Sequence, residues 1–146
     1  MSNFLRYLFT DGEPPTLAEI DQALSAIESA YSLDSDLSEP IFGDLYYEDK
    51  LLAELEINIP GDDVFEDDVA DMVEELQKHD DPNREIPLQA LAKATGMIAI
   101  HLKRDGYENY ELVQPLLSWL FNHRDGLLQI DLDGFYDHEK RIVSLL

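Results

Sequence analysis

Carboxylate side chains crowd one stretch near the end of the chain, where Asp131, Asp133, Asp137 and Glu139 fall within nine residues. Calcium prefers several hard carboxylate oxygens on a flexible loop, and an Asp-x-Asp-Gly run is part of such loops. The EF-hand pattern also needs a third acid before its glycine and a glutamate six residues after it, and both are missing around Gly134. Asp133 and Gly134 suit a hairpin turn better. We therefore predict no divalent metal site here.

The histidines are scattered and do not suggest a joint metal site. His101 lies in an apolar stretch, where we expect a hydrogen-bonded position in the core or at a sheet edge rather than a ligand. His79 and His123 each come at the end of a predicted helix, where a cationic side chain suits the helix dipole.

Familiar catalytic and phosphate-binding motifs are missing from the sequence. Its seven glycines stand singly, and nothing local singles out Ser118 or Ser144 as a nucleophile. The lack of cysteine excludes disulfides, thiolate zinc sites and a cysteine nucleophile. We predict no catalytic residue and no cofactor. Because active sites also assemble from distant residues, a small enzyme with a dispersed carboxylate site remains the alternative.

A predicted helix over residues 64–78 carries the most specific signal. Its inner face is apolar and consists of Phe65, Val69, Met72, Val73 and Leu76. Its opposite face is acidic and consists of Asp67, Asp71 and Glu74, flanked by Asp68 and Glu75. The i,i+4 pair of Asp71 and Glu75 costs about 0.2–0.5 kcal/mol, which an acidic binding face would tolerate. We predict that these five acidic residues bind a partner.

Charge is the outlying property of the composition, with 32 acidic and 10 basic residues and a net charge of −22. Residues 1–81 hold 23 acids and three bases, a net −20, whereas residues 82–146 hold nine acids and seven bases, a net −2. Such a field repels nucleic acids and anionic membranes and attracts basic proteins. We predict a basic protein surface as the partner, with no direct nucleic-acid or membrane contact. Acidity that only maintains solubility is the simpler interpretation.

The length of 146 residues suits a single domain, and 45% hydrophobic residues are enough for a core. Residues 1–15 are expected to form an N-terminal segment and linker, because Gly12, Pro14 and Pro15 follow a short apolar patch. This patch lacks the features of a signal peptide, and no apolar run reaches the ~18 residues of a membrane helix. A cytoplasmic protein is therefore expected.

Local patterns predict a helix and a hairpin in the first half of the chain. Thr16 and Glu19 form a capping box for a helix that ends near Tyr31, and a loop over residues 32–40 follows. Alternating apolar residues over 51–59 indicate a half-buried strand. A three-residue turn over residues 48–50 would place Leu45 and Tyr47 of the preceding strand opposite its Ala53 and Leu51, respectively.

The second half is predicted to contain two helices and three strands. The helices cover residues 85–95 and 109–123, with Trp119 largely buried against the sheet and Pro115 kinking the second helix or marking its first turn. The apolar residues 97–102 suit a central strand buried on both faces. Further strands are expected over residues 128–132 and 141–146.

The predicted order is therefore α-β-β-α-α-β-α-β-β. It favours an α+β fold whose mixed, mostly antiparallel sheet has about five strands and carries four helices. We expect a non-enzymatic interaction domain in an inhibitory, immunity-type or nucleic-acid-mimicking role. A second alternative to this function is a structural or scaffold subunit, which a large exposed apolar patch would reveal. No pattern in the sequence indicates an oligomeric state.

Overall fold

The computed structural model of the protein describes residues 3–35 and 41–146. Over these residues the chain is an α+β protein with eight strands and five helices. The strands are β1 (Phe4–Phe9), β2 (Tyr31–Ser35), β3 (Phe42–Tyr47), β4 (Lys50–Asn58), β5 (Gly96–Leu102), β6 (Gly126–Ile130), β7 (Gly134–Asp137) and β8 (Lys140–Ser144). The helices are α1 (Leu17–Ile27), α2 (Asp63–Gln77), α3 (Glu85–Ala92), α4 (Arg104–Glu108) and α5 (Gln114–His123), and a 3₁₀ turn spans Tyr110–Leu112.

All eight strands form one open sheet in the order β2-β3-β4-β5-β1-β6-β7-β8. Every neighbouring pair is antiparallel, so the sheet is not mixed. The prediction of about five strands and four helices is too low, because the sequence did not indicate β1, β2, β7 and the short helix α4. The prediction that residues 97–102 form a central strand is confirmed, because β5 lies between β4 and β1.

Strand β1 lies at the centre of the sheet, although the sequence places it in an N-terminal segment. Leu5, Tyr7 and Phe9 pack into one core, and Leu8 packs into a second core on the other side of the sheet. A strand buried on both faces shows no clear alternation of apolar and polar residues, so the period-two signal is lost. Arg6 also places a charge within this strand, and the carboxylates that neutralise it, Asp68 and Asp131, are distant in the sequence.

The edge strand β2 occupies part of the predicted loop over residues 32–40. Tyr31 and Leu33 are buried and Ser32 and Asp34 are exposed, an alternation too short to stand out in the sequence. Residues 36–40 of this predicted loop lie outside the described residues. Helix α1 ends at Ile27 rather than near Tyr31, because Tyr31 already belongs to β2.

The start of α1 follows the local sequence, whereas α5 begins later than predicted. The predicted capping box is present: the Glu19 amide donates to Thr16 Oγ1 over 3.1 Å and the Thr16 amide donates to Glu19 Oε1 over 3.3 Å. The helix predicted over 109–123 begins later than expected, because a 3₁₀ turn occupies Tyr110–Leu112 and α5 starts only at Gln114. Pro115 lies in the first turn of α5, where a missing amide costs nothing.

The β3–β4 hairpin combines a two-residue turn with a bulge. Leu45 lies opposite Ala53 as predicted, but Tyr47 lies opposite Lys50 rather than Leu51. The register shifts after Leu45, and the extra residue of β4 is the buried Leu52. The bulge thus restores the apolar register that a three-residue turn would have produced.

Helices cover both faces of the sheet, but they are offset from one another. We call the face onto which Leu5, Tyr7 and Phe9 project the first face, and the face onto which Leu8 projects the second face. Helices α1 and α5 pack on the first face over six neighbouring strands of the sheet, namely β2, β3, β4, β5, β1 and β6. Helices α2 and α3 pack on the second face over β5, β1, β7 and β8. In the described part of the chain, the second-face core contains no residue of β2, β3 or β4, although this face is covered at the end of β4, where Asn58 is buried.

Trp119 is half-buried rather than largely buried. Its ring packs against the rim of the first-face core and stacks on His123, with the centroids 4.3 Å apart. The neighbouring Leu120 takes the inward position and is fully buried. None of the helices in residues 3–35 and 41–146 combines the length and the hydropathy that crossing a bilayer requires.

Candidate functional site

Helix α2 carries the acidic residues singled out in the sequence. It begins after Asp62, whose carboxylate accepts the Ile59 amide over 3.3 Å, and it buries Phe65, Met72 and Leu76 on the second face. The side chains that point away from the sheet and are exposed are those of Asp67, Asp71 and Glu74. The flanking Asp68 and Glu75 are half-buried.

Asp68 belongs to a network beneath α2. Arg6 Nε donates to Asp68 Oδ2 over 3.0 Å, and Arg6 Nη1 donates to Asp131 Oδ1 over 2.8 Å. The same Nη1 lies 3.1 Å from Gln129 Oε1. This network anchors α2 to β1 and β6, so Asp68 has a structural role that its position in the helix could not reveal.

Two of the other predicted partner-binding residues have basic neighbours just beyond the end of the helix. Lys78 Nζ lies 3.4 Å from Glu74 Oε1, and His79 Nδ1 lies 3.8 Å from Glu75 Oε1. Asp67 and Asp71 form no ion pair with any described residue. Of the five predicted partner-binding residues, these two are therefore the most available.

A second set of carboxylates crosses the open part of the sheet. The strand register places Asp34 of β2 opposite Asp44 of β3, and Asp44 opposite Glu54 of β4. Their neighbours Leu33, Leu45 and Leu55 point to the first-face core, so these three acids project onto the second face. Adjacent strands lie about 4.8 Å apart, which brings the acids into one row. The sequence did not reveal this row, because the strand pairing creates it.

The carboxylate row is only partly neutralised. Lys103, which follows β5, pairs with Glu54 and lowers the pKa of that carboxyl. Burial raises the pKa of Asp44, and the charges of Glu54 and Asp34 raise it further against the opposing effect of Lys103. Like charges thus remain side by side on this face.

Glu56 joins the sheet row to helix α2. It lies two residues beyond Glu54 on the same face and is half-buried. Burial is the main cause that raises its pKa, and the nearby charge of Asp68 adds to the effect. We call the combined region the acidic surface, and it consists of Asp34, Asp44, Glu54, Glu56, Asp67, Asp71 and Glu74.

One aromatic residue interrupts the acidic surface. Phe42 of β3 lies opposite Glu56 in the register, and 38% of it is exposed to solvent. A large apolar side chain surrounded by charged residues is a typical anchor for a protein partner. The sequence does not single out Phe42, because it follows a stretch predicted as loop.

The first face carries a groove between α5 and the strands β6 and β7. Its volume is about 700 Å³. The helix side is formed by residues of one face of α5, namely Gln114, Leu117, Ser118, Phe121 and Asn122. The opposite side consists of Leu128, Ile130, Asp133, Tyr136, His138 and Glu139, and Tyr110 closes one end. We call this feature the aromatic groove.

The aromatic residues of the second half have different environments. The sequence indicates ordinary core and rim positions for Tyr107, Tyr110, Phe135 and Tyr136. Phe135 is fully buried in the second-face core and Tyr107 is exposed. Tyr110 and Tyr136, by contrast, line the aromatic groove together.

The oxygen-rich stretch of the sequence does not converge on one point. Asp131 binds Arg6, Asp133 accepts from the Tyr136 hydroxyl and from Arg141, and Asp137 pairs with His138. Within residues 3–35 and 41–146, no three His, Asp or Glu side chains are grouped so that they could hold a metal ion.

The histidines lie apart from one another. His101 is half-exposed on β5, stacks on Phe4 and lies 4.0 Å from Glu54. His123 is the last residue of α5, and His79 follows the end of α2, where its Nδ1 lies 3.0 Å from the Glu75 carbonyl oxygen. Both positions agree with the expected role at a helix C-terminus.

A dispersed carboxylate active site would combine a deep pocket with carboxyl groups of raised pKa. Among the described residues, the carboxyl groups with a raised pKa are Asp44 and Glu56, both on the second face. The aromatic groove lies on the first face. Neither of these two carboxyl groups therefore lines the aromatic groove.

The structure thus offers two candidate sites, the acidic surface on the second face and the aromatic groove on the first. Comparison of the chain with protein-family models, with curated proteins and with solved structures found no significant match. The functional inference accordingly rests on the geometry and the charge of these two sites.

Proposed function

We propose that this chain is a non-enzymatic interaction protein whose acidic surface binds a basic surface of another protein. The observation that carries the proposal is the row of Asp34, Asp44 and Glu54, which are exposed or half-buried on a part of the sheet that contributes no residue to the second-face core. Like charges directly opposite each other on neighbouring strands destabilise a sheet. A binding function explains why the protein keeps these opposed carboxylates although they destabilise the sheet, since a basic partner would relieve their repulsion.

The overall charge supports a basic protein as the partner. All seven residues of the acidic surface lie in residues 1–81, which carry a net −20. A field of this sign accelerates the approach of a positively charged protein and repels phosphates. An inhibitor, an immunity-type protein and a mimic of nucleic acid would all use such a surface against a basic binding site.

Phe42 supports a protein partner rather than simple ions. Charged groups at a rim mainly control the rate of association, whereas a central apolar anchor supplies much of the affinity. Phe42 lies beside Glu56 and two residues from Asp44, which gives the acidic surface such an anchor. The simpler interpretation, a surface that only keeps the protein soluble, requires no exposed aromatic residue there.

Capture from an extract of the source cells tests the proposal. The immobilised wild type should retain basic proteins at 0.1 M salt and release them at 1 M, because the Debye length falls from about 10 Å to about 3 Å. A surface variant with Asp34→Asn, Asp44→Asn and Glu54→Gln should retain much less of the same proteins.

A control variant separates local binding from net charge. Asp11→Asn, Glu13→Gln and Glu111→Gln remove the same charge from exposed positions outside the acidic surface. This control should retain the basic proteins as the wild type does. Equal retention by the surface variant and the control, or retention of acidic proteins, would contradict the proposal.

A further inference from the structure

The aromatic groove has rings that are held in place before any ligand arrives. Phe121 contacts the buried Tyr7 edge-on, with the centroids 4.9 Å apart at 84°, and stacks on His138 at 4.5 Å. The Tyr136 hydroxyl donates to Asp133 Oδ1 over 2.6 Å. Fixed rings lose little conformational entropy when a ligand binds, so the groove is preorganised.

The charge of the groove selects a cation. Its lining contains two carboxylates, Asp133 and Glu139, and neither lysine nor arginine. Both donors that reach the Asp133 carboxylate, the Tyr136 hydroxyl and Arg141 Nη1, contact Oδ1. Oδ2 accepts from no described residue, so Asp133 keeps one free acceptor although it already pairs with Arg141. A cation above the faces of Tyr110, Phe121 or Tyr136 would gain cation–π attraction in addition.

A row of polar side chains runs along the groove beside the rings. Gln114, Ser118 and Asn122 follow one another at intervals of four residues on α5, and their side chains form no hydrogen bond with other described residues. This row is about 12 Å long at ~1.5 Å rise per residue. An extended peptide of about four residues, at ~3.3 Å each, has the same length. Its backbone N–H and C=O groups are unpaired and could form hydrogen bonds with this row.

We propose that the aromatic groove binds an arginine side chain within a short extended peptide segment. A planar guanidinium group stacks on aromatic rings better than an ammonium group does, and its several N–H donors would serve both Asp133 Oδ2 and the Glu139 carboxylate. Asp133 and the three rings would hold the guanidinium, and the row on α5 would hold the peptide backbone. The groove lies on the opposite face from the acidic surface, so this inference does not depend on the proposed function.

Titration with a defined peptide tests the inference. The probe is the capped pentapeptide Ala-Ala-Arg-Ala-Ala, compared with the same peptide carrying lysine or the neutral isostere citrulline. At 0.15 M salt, NMR should show shifts confined to the groove, and the citrulline peptide should bind at least about tenfold more weakly. The lysine peptide should bind more weakly than the arginine peptide.

Variants of the protein complete the test. Asp133→Asn should weaken binding of the arginine peptide about tenfold. If this change disturbs the turn, the exposed Glu139→Gln provides a second variant with a several-fold effect. The surface variant at Asp34, Asp44 and Glu54 should bind the peptide as the wild type does. Equal affinity for the arginine and citrulline peptides, shifts outside the groove, or preference for a small cation such as tetramethylammonium would each overturn the inference.

Discussion

At the scale of single residues, the fold places the carboxylate of Asp44 beside two other carboxylates. It is half-buried between Asp34 and Glu54, and only Lys103 opposes the repulsion. Its pKa is raised in the folded protein, so the folded state favours the protonated carboxyl more than the unfolded chain does. Ionisation of Asp44 therefore lowers the stability of the fold.

Replacing Asp44 by Asn should increase the free energy of unfolding at pH 7 by up to about 1 kcal/mol, the upper range for one cross-strand pair. The gain should shrink as the pH falls through the raised pKa of Asp44 and vanish below the ordinary value of 3.8. Urea unfolding of both proteins between pH 3.5 and pH 7 measures this difference. A stability gap between Asp44→Asn and the wild type that is constant with pH would refute the explanation.

Arg6 is the residue whose loss should affect the fold most through charge. Arg6→Met leaves Asp68 and Asp131 without their cation in a partly buried position, and we expect a loss of roughly 2–3 kcal/mol. Arg104→Met is the matched control, because Arg104 pairs with Glu108 on the open surface and should cost less than ~0.5 kcal/mol. Chemical denaturation compares the two, and similar losses would show that the network is not important.

At the scale of elements, close backbone contacts decide where the helices lie. Gly106 places α4 against β4 so tightly that a Cβ atom at this position would overlap the carbonyl oxygen of Leu52. The Lys103 amide donates to that same oxygen over 2.9 Å. The contact between α4 and the bulged part of β4 thus depends on a residue without a side chain.

Gly106→Ala should therefore destabilise the protein by roughly 3 kcal/mol, because backbone rather than a flexible side chain must move. Gly61→Ala is the comparison, since a Cβ atom there meets open space and only the φ of +99° is unfavourable. We expect a cost of about 1 kcal/mol for it. Thermal and urea unfolding test the order, and a larger loss for Gly61→Ala would contradict the packing assignment.

Helix α5 carries two neighbouring residues, Trp119 and Leu120, that differ in how deeply they are buried against the sheet. Leu120→Ala removes a fully buried side chain from the first-face core and should cost about 2–5 kcal/mol. Trp119→Ala should cost less than Leu120→Ala because the Trp119 ring is half-exposed at the rim of the core. Unfolding free energies of the two variants decide this, and the reverse order would mean that Trp119 is the inward residue.

At the scale of the whole molecule, the offset between the two helix layers determines what the protein can present. The layer of α1 and α5 leaves the aromatic groove beside β7, and the layer of α2 and α3 leaves the carboxylate row on β2, β3 and β4. One sheet thus exposes two chemically different surfaces on opposite faces.

The acidic face of α2 gives the prediction that belongs to this scale. Replacing Asp67, Asp71 and Glu74 by Asn, Asn and Gln should leave the fold intact, because exposed charges contribute little individually. The same variant should associate more slowly with a captured basic partner and show a weaker dependence on salt. Stopped-flow association at several salt concentrations measures both, and a rate that ignores salt and these substitutions would refute the role of α2.

The sequence alone was sufficient for the features that local physics controls. The capping box of Thr16 and Glu19, the inner face of α2 and the buried strand β5 all follow from periodicity and capping chemistry over a few residues. The α+β class follows from the same local signals.

Only the tertiary structure decided which distant residues meet. The central position of β1, the binding of Asp68 by Arg6 and the row of Asp34, Asp44 and Glu54 each join residues that are far apart in the chain or that depend on strand register. Register and layer offset are set by the burial of apolar surface across the whole sheet, which no short window of sequence contains. For this reason the acidic helix was predictable, whereas the acidic sheet face and the aromatic groove were not.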